Sequence, residues 1–206
     1  MTLTRRHALA TGLAYGLAAA ALPTALRAQA TREVAEMAIG DPDAPVTVVE
    51  YWMFTCPHCA AFHREVFPLI KANFVDTGQV RFVFREVYFN RPSLWAAMVA
   101  RCAPEDRYVG ISELLFQRQS SWATVNDPNA MVAELMSIGR QAGLTDDEMN
   151  ACLADRDFAE ALVADFQTNA AADGVDSTPS FVIDGTKYGN MGYADFEARL
   201  NEALGG

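Results

Sequence analysis

Val46-Thr47-Val48-Val49-Glu50-Tyr51-Trp52, followed after Met53-Phe54-Thr55 by Cys56-Pro57-His58-Cys59, is the stretch on which the fold turns. The first seven residues are β-branched or aromatic and read as a buried strand. Beyond Cys59, Phe62, Val66 and Ile70 recur every four residues, which marks a helix with its apolar face inward. Pro68 should kink that helix. Val80-Arg81-Phe82-Val83-Phe84-Arg85 reads as a second strand. The two cysteines therefore sit where a strand feeds a helix, inside a strand–helix–strand unit.

Upstream, Gly40-Asp41-Pro42-Asp43-Ala44-Pro45 is a dense turn cluster, and Thr31–Met37 reads as a polar tethering arm. Downstream, from Pro92 to about Gly174, Ala, Leu, Met, Glu and Gln dominate and no β-rich run occurs. Helices are expected over Leu94–Ala103, Tyr108–Gln119, Pro128–Ala142, Asp146–Ala154 and Phe158–Asp173. Thr145 with Glu148 three residues on is a capping-box signature, and Gly143 suits the C-terminal stop of the preceding helix. Ser180–Asp184 then reads as a strand, Asp184-Gly185 as a hairpin turn, Lys187–Gly189 as its short partner and Tyr193–Leu204 as a closing helix. The order is β-α-β, a helical block of roughly eighty residues, then β-β-α. The expected division is 31–91, a helical insertion over 92–174, and 175–206.

The whole chain has 206 residues, 51% hydrophobic and 20% charged, with a mean hydropathy near zero. That composition excludes wholesale disorder, collagen and coiled coil, and the length suits one domain with an insertion. The formal net charge is −10. Arg5, Arg6 and Arg27 are the only charges of the first thirty residues, so the remainder carries 13 basic against 26 acidic side chains. A surface this acidic does not neutralise phosphates, which argues against nucleic acid or an anionic membrane surface as a partner. Four cysteines are too few for a disulfide scaffold.

The first thirty residues read as an export signal. Met1–His7 is short and basic, Ala8–Leu22 is uncharged and rich in Ala and Leu, and Ala28-Gln29-Ala30 is a cleavage site of the A-x-A type. The run is short for a membrane span, so cleavage after Ala30 is favoured over an uncleaved anchor. Thr4-Arg5-Arg6 leaves the twin-arginine and general secretory routes equally open. Either route leads to an oxidising compartment, and with no later long apolar run the exported chain is expected to be soluble.

The chemistry is carried by Cys56-Pro57-His58-Cys59. A thiolate is the reactive form of cysteine, and a helix start offers it unpaired N–H groups and the positive end of the dipole. Cys59 lies about one turn further on, within bonding reach but turned inward. Cys56 is thus the expected exposed nucleophile, with a low pKa, and Cys59 the buried resolving thiol. Pro57 suits the first helical turn, and His58 adds a donor or a positive charge beside the Cys56 sulfur. The competing reading is a zinc knuckle or a static disulfide. Zinc needs four ligands, however, and beyond residue 30 the only histidines are His58 and His63, with Cys102 and Cys152 isolated in expected helices. Haem attachment needs a histidine where Ala60 stands. Redox chemistry without metal or cofactor is the expectation. Cys102 and Cys152, among apolar neighbours such as Met98, Val99 and Leu153, are expected to form a structural disulfide, the alternative being two separately buried thiols. His63 is expected on a helix surface.

Val48-Val49-Glu50-Tyr51-Trp52 leading into Cys56-Pro57-His58-Cys59, together with Ser177-Thr178-Pro179-Ser180-Phe181-Val182-Ile183-Asp184-Gly185, resembles the DsbA family of periplasmic thiol–disulfide oxidoreductases. The resemblance covers residues 40–204. It implies an α/β fold of thioredoxin type with an inserted all-helical domain, and a cis Thr178–Pro179 bond opposite the cysteines. Glu50, six residues before Cys56, matches the family's buried acid near the resolving cysteine and would handle its proton. Thr178 departs from the valine of the family's type member and matches the threonine of many relatives, isomerases included. The implied partners are newly exported or unfolded cysteine-containing proteins and a quinone-linked membrane protein that reoxidises the pair. The implied location is the periplasm. Net oxidation by a monomer is expected, because a stabilised thiolate makes the disulfide an oxidant and no dimerisation domain is visible. The alternatives are a reductase or isomerase, or a non-catalytic chaperone-like binding protein using the same groove.

Overall fold

The computed structural model describes residues 32–205. The expected export signal and cleavage site lie outside the described residues. The described residues cluster as one compact unit.

A five-stranded sheet organises the molecule. Its strands are β1 (Met37–Ile39), β2 (Val46–Trp52), β3 (Val80–Glu86), β4 (Ser180–Ile183) and β5 (Thr186–Tyr188), in the order β1-β3-β2-β4-β5. β2 runs parallel to β3 and antiparallel to β4, with Glu50 opposite Phe84 on one side and Phe181 on the other. The outer strands β1 and β5 are antiparallel to their neighbours. The polar arm expected over Thr31–Met37 is corrected in part: Met37 begins the edge strand β1, buried against Phe84. Three residues are too few to show a period-two pattern. The β4–β5 hairpin turns at Asp184 and Gly185, both at positive φ, as an Asp-Gly turn of the primed type requires.

The alternation of β2 places Val46, Val48, Glu50 and Trp52 on one face. That face packs under α1 (Pro57–Glu65) and α4 (Glu105–Gln117). Phe54, Phe62, Phe67, Phe82, Phe84, Phe116, Phe181 and Phe196 fill the layer between, nearly all inaccessible to solvent. Each such ring contributes about 1.5–3 kcal/mol by leaving water. Tyr51 points to the opposite face, where Val87, Val182 and Ala170 of α8 (Arg156–Ala172) cover it.

At Pro68, where a kink is expected, the helix breaks in two. Pro68 has no N–H to give Arg64, so α1 stops at Glu65, and α2 (Phe67–Ile70) restarts and widens into a π turn over Lys71–Val75. The helical block holds α3 (Arg91–Arg101), α4, α5 (Gln119–Trp122), α6 (Pro128–Gln141), α7 (Asp146–Ala154) and α8; α9 (Tyr193–Ala203) closes the fold. The caps explain the boundaries. Asn90, Asp127 and Asp155 accept first-turn N–H groups, and Thr145 with Glu148 forms the full capping box. The short α5 has no periodic signature in the sequence; it forms because Trp122 is buried beneath it, donating its indole N–H to the Leu115 carbonyl.

Candidate active site

Cys56 is itself the N-cap of α1, in extended conformation, and its side chain forms no conventional cap hydrogen bond. The first-turn N–H groups are therefore free to face a sulfur. The backbone from Met53 to Cys56 is held from both sides. The Cys56 N–H donates to the Met53 carbonyl at 2.9 Å. Gln119, from α5, donates its amide to the carbonyls of Phe54 and Cys56 at 2.8 and 2.9 Å. Ser93 Oγ accepts from the Phe54 N–H at 3.1 Å and donates to the Val87 carbonyl. The helical block thus shapes the turn that carries the nucleophile.

Thr178–Pro179 is a cis peptide and lies against Cys56, whose thiol is 3.4 Å from the Thr178 carbonyl. Both active-site thiols are free. Cys56 retains 6% of its surface exposed and Cys59 none, so Cys56 is less open than the sequence led us to expect, while the order of accessibility is as expected. The Cys56 pKa is lowered to about 5. The hydrogen bond from the Cys59 thiol is the main cause, followed, against the cost of burial, by one from the Thr178 side chain and by the backbone N–H groups of Cys59 and His58. The His58 ring is exposed and makes no hydrogen bond to the sulfur among the described residues. Its contribution comes through the main chain. Cys59 is pushed up strongly by burial, then by the Cys56 thiolate and the charge of Glu50. Its sulfur accepts the Met53 N–H at 3.5 Å.

Glu50 is inaccessible to solvent. Burial raises its pKa; His63 opposes that rise by charge and hydrogen bond, and Cys56 adds to it. His63 corrects the sequence reading: it is buried, with Nε2 at 3.0 and 3.2 Å from the two Glu50 oxygens. His63 follows Cys59 by four residues and shares its helix face, but that spacing does not say which surface closes over it. Gln119 had no sequence signal, because only tertiary contact brings α5 to the turn. Cys102 and Cys152 are joined in the helical block, with Cα atoms 6.0 Å apart, far from the thiol pair in sequence. Among the described residues no three His, Cys, Asp or Glu side chains gather as a metal site.

A parallel strand–helix–strand core with a dithiol at the helix start, a cis-proline loop against it and an inserted helical block defines a thioredoxin-like dithiol protein. A thioredoxin family model, Thioredoxin_4, matches residues 32–202, and the chain belongs to that family. Among solved structures, alpha-DsbA1 of Wolbachia pipientis superposes with a TM-score of 0.75 at 29% identity, covering 82% of this chain and 91% of that one. The DsbA resemblance read from the motifs therefore holds in three dimensions. A Rickettsia felis protein, provisionally named a protein-disulfide oxidoreductase, is 32% identical over 170 residues, which are 82% of this chain and 60% of that protein. Disulfide bond formation protein D of Bacillus subtilis is 36% identical over 94 residues, 42% of each chain. The chain spans 60–64% of the length of the Rickettsia relatives it matches.

Proposed function

We propose that this protein is a periplasmic thiol–disulfide oxidoreductase that introduces disulfides into newly exported, cysteine-containing proteins. The observation that carries the reading is the placement of the two thiols: Cys56 at the start of α1 against the Thr178 carbonyl, and Cys59 one turn on and fully enclosed. In the oxidised enzyme a substrate thiolate attacks Cys56 Sγ. The new S–S bond joins substrate to Cys56, the Cys56–Cys59 bond breaks, and Cys59 leaves and takes up a proton. A second substrate thiolate then attacks the substrate sulfur of the mixed disulfide and displaces Cys56 as a thiolate. Substrate is oxidised and the pair reduced by the same two electrons. Because the leaving Cys56 thiolate is stabilised, the equilibrium favours substrate oxidation.

The backbone at Thr178–Pro179, already against Cys56, offers an extended substrate chain a strand-like partner, which favours many sequences over one. Glu50 is the group placed to give and take the Cys59 proton. The family resemblance and the basic, apolar first thirty residues support the periplasmic location and a quinone-linked membrane protein as reoxidant. The test mixes oxidised protein with a reduced, unfolded substrate containing several cysteines. Rapid substrate oxidation, leaving Cys56–Cys59 reduced, is the expected result. A potential near the thioredoxin value of about −270 mV, with scrambled disulfides rescued and no net oxidation, would make it a reductase or isomerase. Retention of function after replacing both cysteines by serine would make it a binding protein.

A further inference from the structure

The parallel strands β2 and β3 end in register, Trp52 beside Glu86, so the chain leaving each one rises at the same edge of the sheet. After β2 it makes the dithiol turn and α1; after β3 it makes Asn90 and α3. Asn90 donates its amide to Thr55 Oγ1 at 2.8 Å, which ties the start of α3 to the residue before Cys56. Past α5, whose Gln119 holds the Cys56 carbonyl, residues 123–131 come back against α3. Between these two segments lies a cleft of about 390 Å³, within the ~300–1,000 Å³ of sites that hold small ligands. Its apolar walls are Pro92, Trp95, Ala123, Val125 and Met131, and Arg91 stands beside them. Met131 is buried, while the other four keep part of their surface open to water. Thiol–disulfide exchange at Cys56 makes no use of this cleft.

Two observations select the occupant. The first is continuity with the thiol. Arg91 follows Asn90 directly, and Ala123 follows Gln119 by four residues, about 6 Å along a helix. An extended chain advances about 3.3 Å per residue. A polypeptide whose cysteine is bonded to Cys56 can therefore lay a side chain about three to five residues away into the cleft. The second observation is charge. Arg91 is exposed and forms no ion pair among the described residues, on a chain that beyond residue 30 carries 13 basic against 26 acidic side chains. Asp127, the acid on the facing segment, is turned to cap α6 and accepts the Ala130 N–H at 2.8 Å. A lone cation beside an apolar cleft suits an apolar side chain flanked by a carboxylate. We propose that the cleft between α3 and the α5–α6 segment is a substrate subsite. It takes one apolar side chain of the cysteine-bearing segment and, through Arg91, favours an acidic residue next to it. The proposal rests on the thiol–disulfide exchange reading above, and adds a side-chain preference that main-chain pairing at Thr178–Pro179 does not supply. A leucine, methionine or phenylalanine leaves water on entering, and Met131 lets the wall adapt to each.

The probes are unstructured peptides, each with a cysteine pair and one leucine or, in the matched control, one serine, stepped along the chain on either side of the attacking cysteine. The oxidised protein is mixed with each peptide, and kcat/KM is measured beside that for dithiothreitol, which has no side chain to place. The best-placed leucine should raise kcat/KM about tenfold over serine, the lower end of discrimination by an apolar pocket. Ala123→Leu, which fills the cleft, should bring the leucine and serine peptides to one rate. Beside that leucine, aspartate should be preferred to lysine by up to about fivefold at low salt, and Arg91→Glu should reverse the order. Arg91→Glu changes an exposed side chain, so it decides the question should Ala123→Leu fail to fold. Equal rates for leucine and serine at every position would overturn the subsite, as would a leucine gain that survives Ala123→Leu or a charge preference that survives Arg91→Glu. A dimer that dissociates on Ala123→Leu would give the cleft to a second copy, and a loss confined to reoxidation would give it to the reoxidant; either result overturns the proposal. Failure of the parent protein to oxidise dithiothreitol would instead sink the functional reading.

Discussion

At the scale of single residues, Cys56 carries the pH dependence. An unfolded chain titrates this thiol near 8.5, whereas the fold lowers it to about 5. The unfolded state therefore binds its proton more tightly, and the reduced protein gains stability as pH rises from 5 towards 8.5, with none of this gain left below 5. Above 8.5 the trend reverses, because burial keeps Cys59 protonated while the unfolded chain ionises. The oxidised form has neither thiol. The difference in unfolding midpoint between reduced and oxidised protein should be flat below pH 5 and grow to a maximum near 8.5; a pH-independent difference would contradict the assignment. Thr178→Val removes one of the hydrogen bonds to the thiolate. Because a hydrogen bond to a charged group is worth about 1.5–3 kcal/mol, thiolate absorbance should titrate about one pH unit higher in that variant, and the disulfide should become less oxidising.

At the scale of elements, two junctions set the cost of error. Arg101, at the end of α3, forms a bidentate pair with Glu86 of β3 at 2.6 Å on both arms, and Tyr108 of α4 donates to the same carboxylate at 2.7 Å. All three side chains are largely buried. Glu86→Gln leaves Arg101 charged and enclosed, which should cost about 3–5 kcal/mol, while adding Arg101→Met should recover much of that loss. Denaturant midpoints of the two singles and the double decide it, and strictly additive losses would show that the pair is not coupled. The second junction is Gly40, between β1 and the following turn. Its φ is +93°, and a Cβ there would lie 2.4 Å from the Val80 carbonyl oxygen. Backbone cannot move aside as a side chain can, so Gly40→Ala should destabilise by at least about 1–3 kcal/mol. A stability unchanged within a few tenths would mean that β1 detaches without cost.

Taken whole, the molecule is a thioredoxin-like core whose dithiol turn is held by its insertion. Gln119 and Ser93 reach from the helical block to the backbone around Cys56, so stiffening the block stiffens the site. The Cys102–Cys152 bond contributes to that stiffness by closing a loop with a sequence separation of 50. In the chain-entropy description a loop of that length is worth about 4 kcal/mol. With Cys56–Cys59 oxidised in both proteins, Cys102→Ala/Cys152→Ala should therefore unfold at clearly lower denaturant. An unchanged midpoint would show that packing among α3, α6 and α7 already holds the block.

Local chemistry made most of this visible in the sequence. The seven-residue run from Val46 to Trp52, the helix start at Pro57, the capping box at Thr145 and the Asp-Gly turn after β4 are all decided within a few residues of themselves, and each lies where its pattern says. The period of two along β2 even carries the burial of Glu50, which shares a face with Val48 and Trp52. Tertiary structure decided the remainder. Whether His63 faces water or Glu50 depends on α4 arriving to cover it with Phe116. Whether Gln119 is a surface amide or the clamp on the Cys56 carbonyl depends on α5 folding back to the turn. Whether three residues at Met37 form a strand depends on the edge that β3 leaves open. Burial and pairing of that kind join positions far apart in the chain, and no local pattern of side chains encodes which distant surface will close over them.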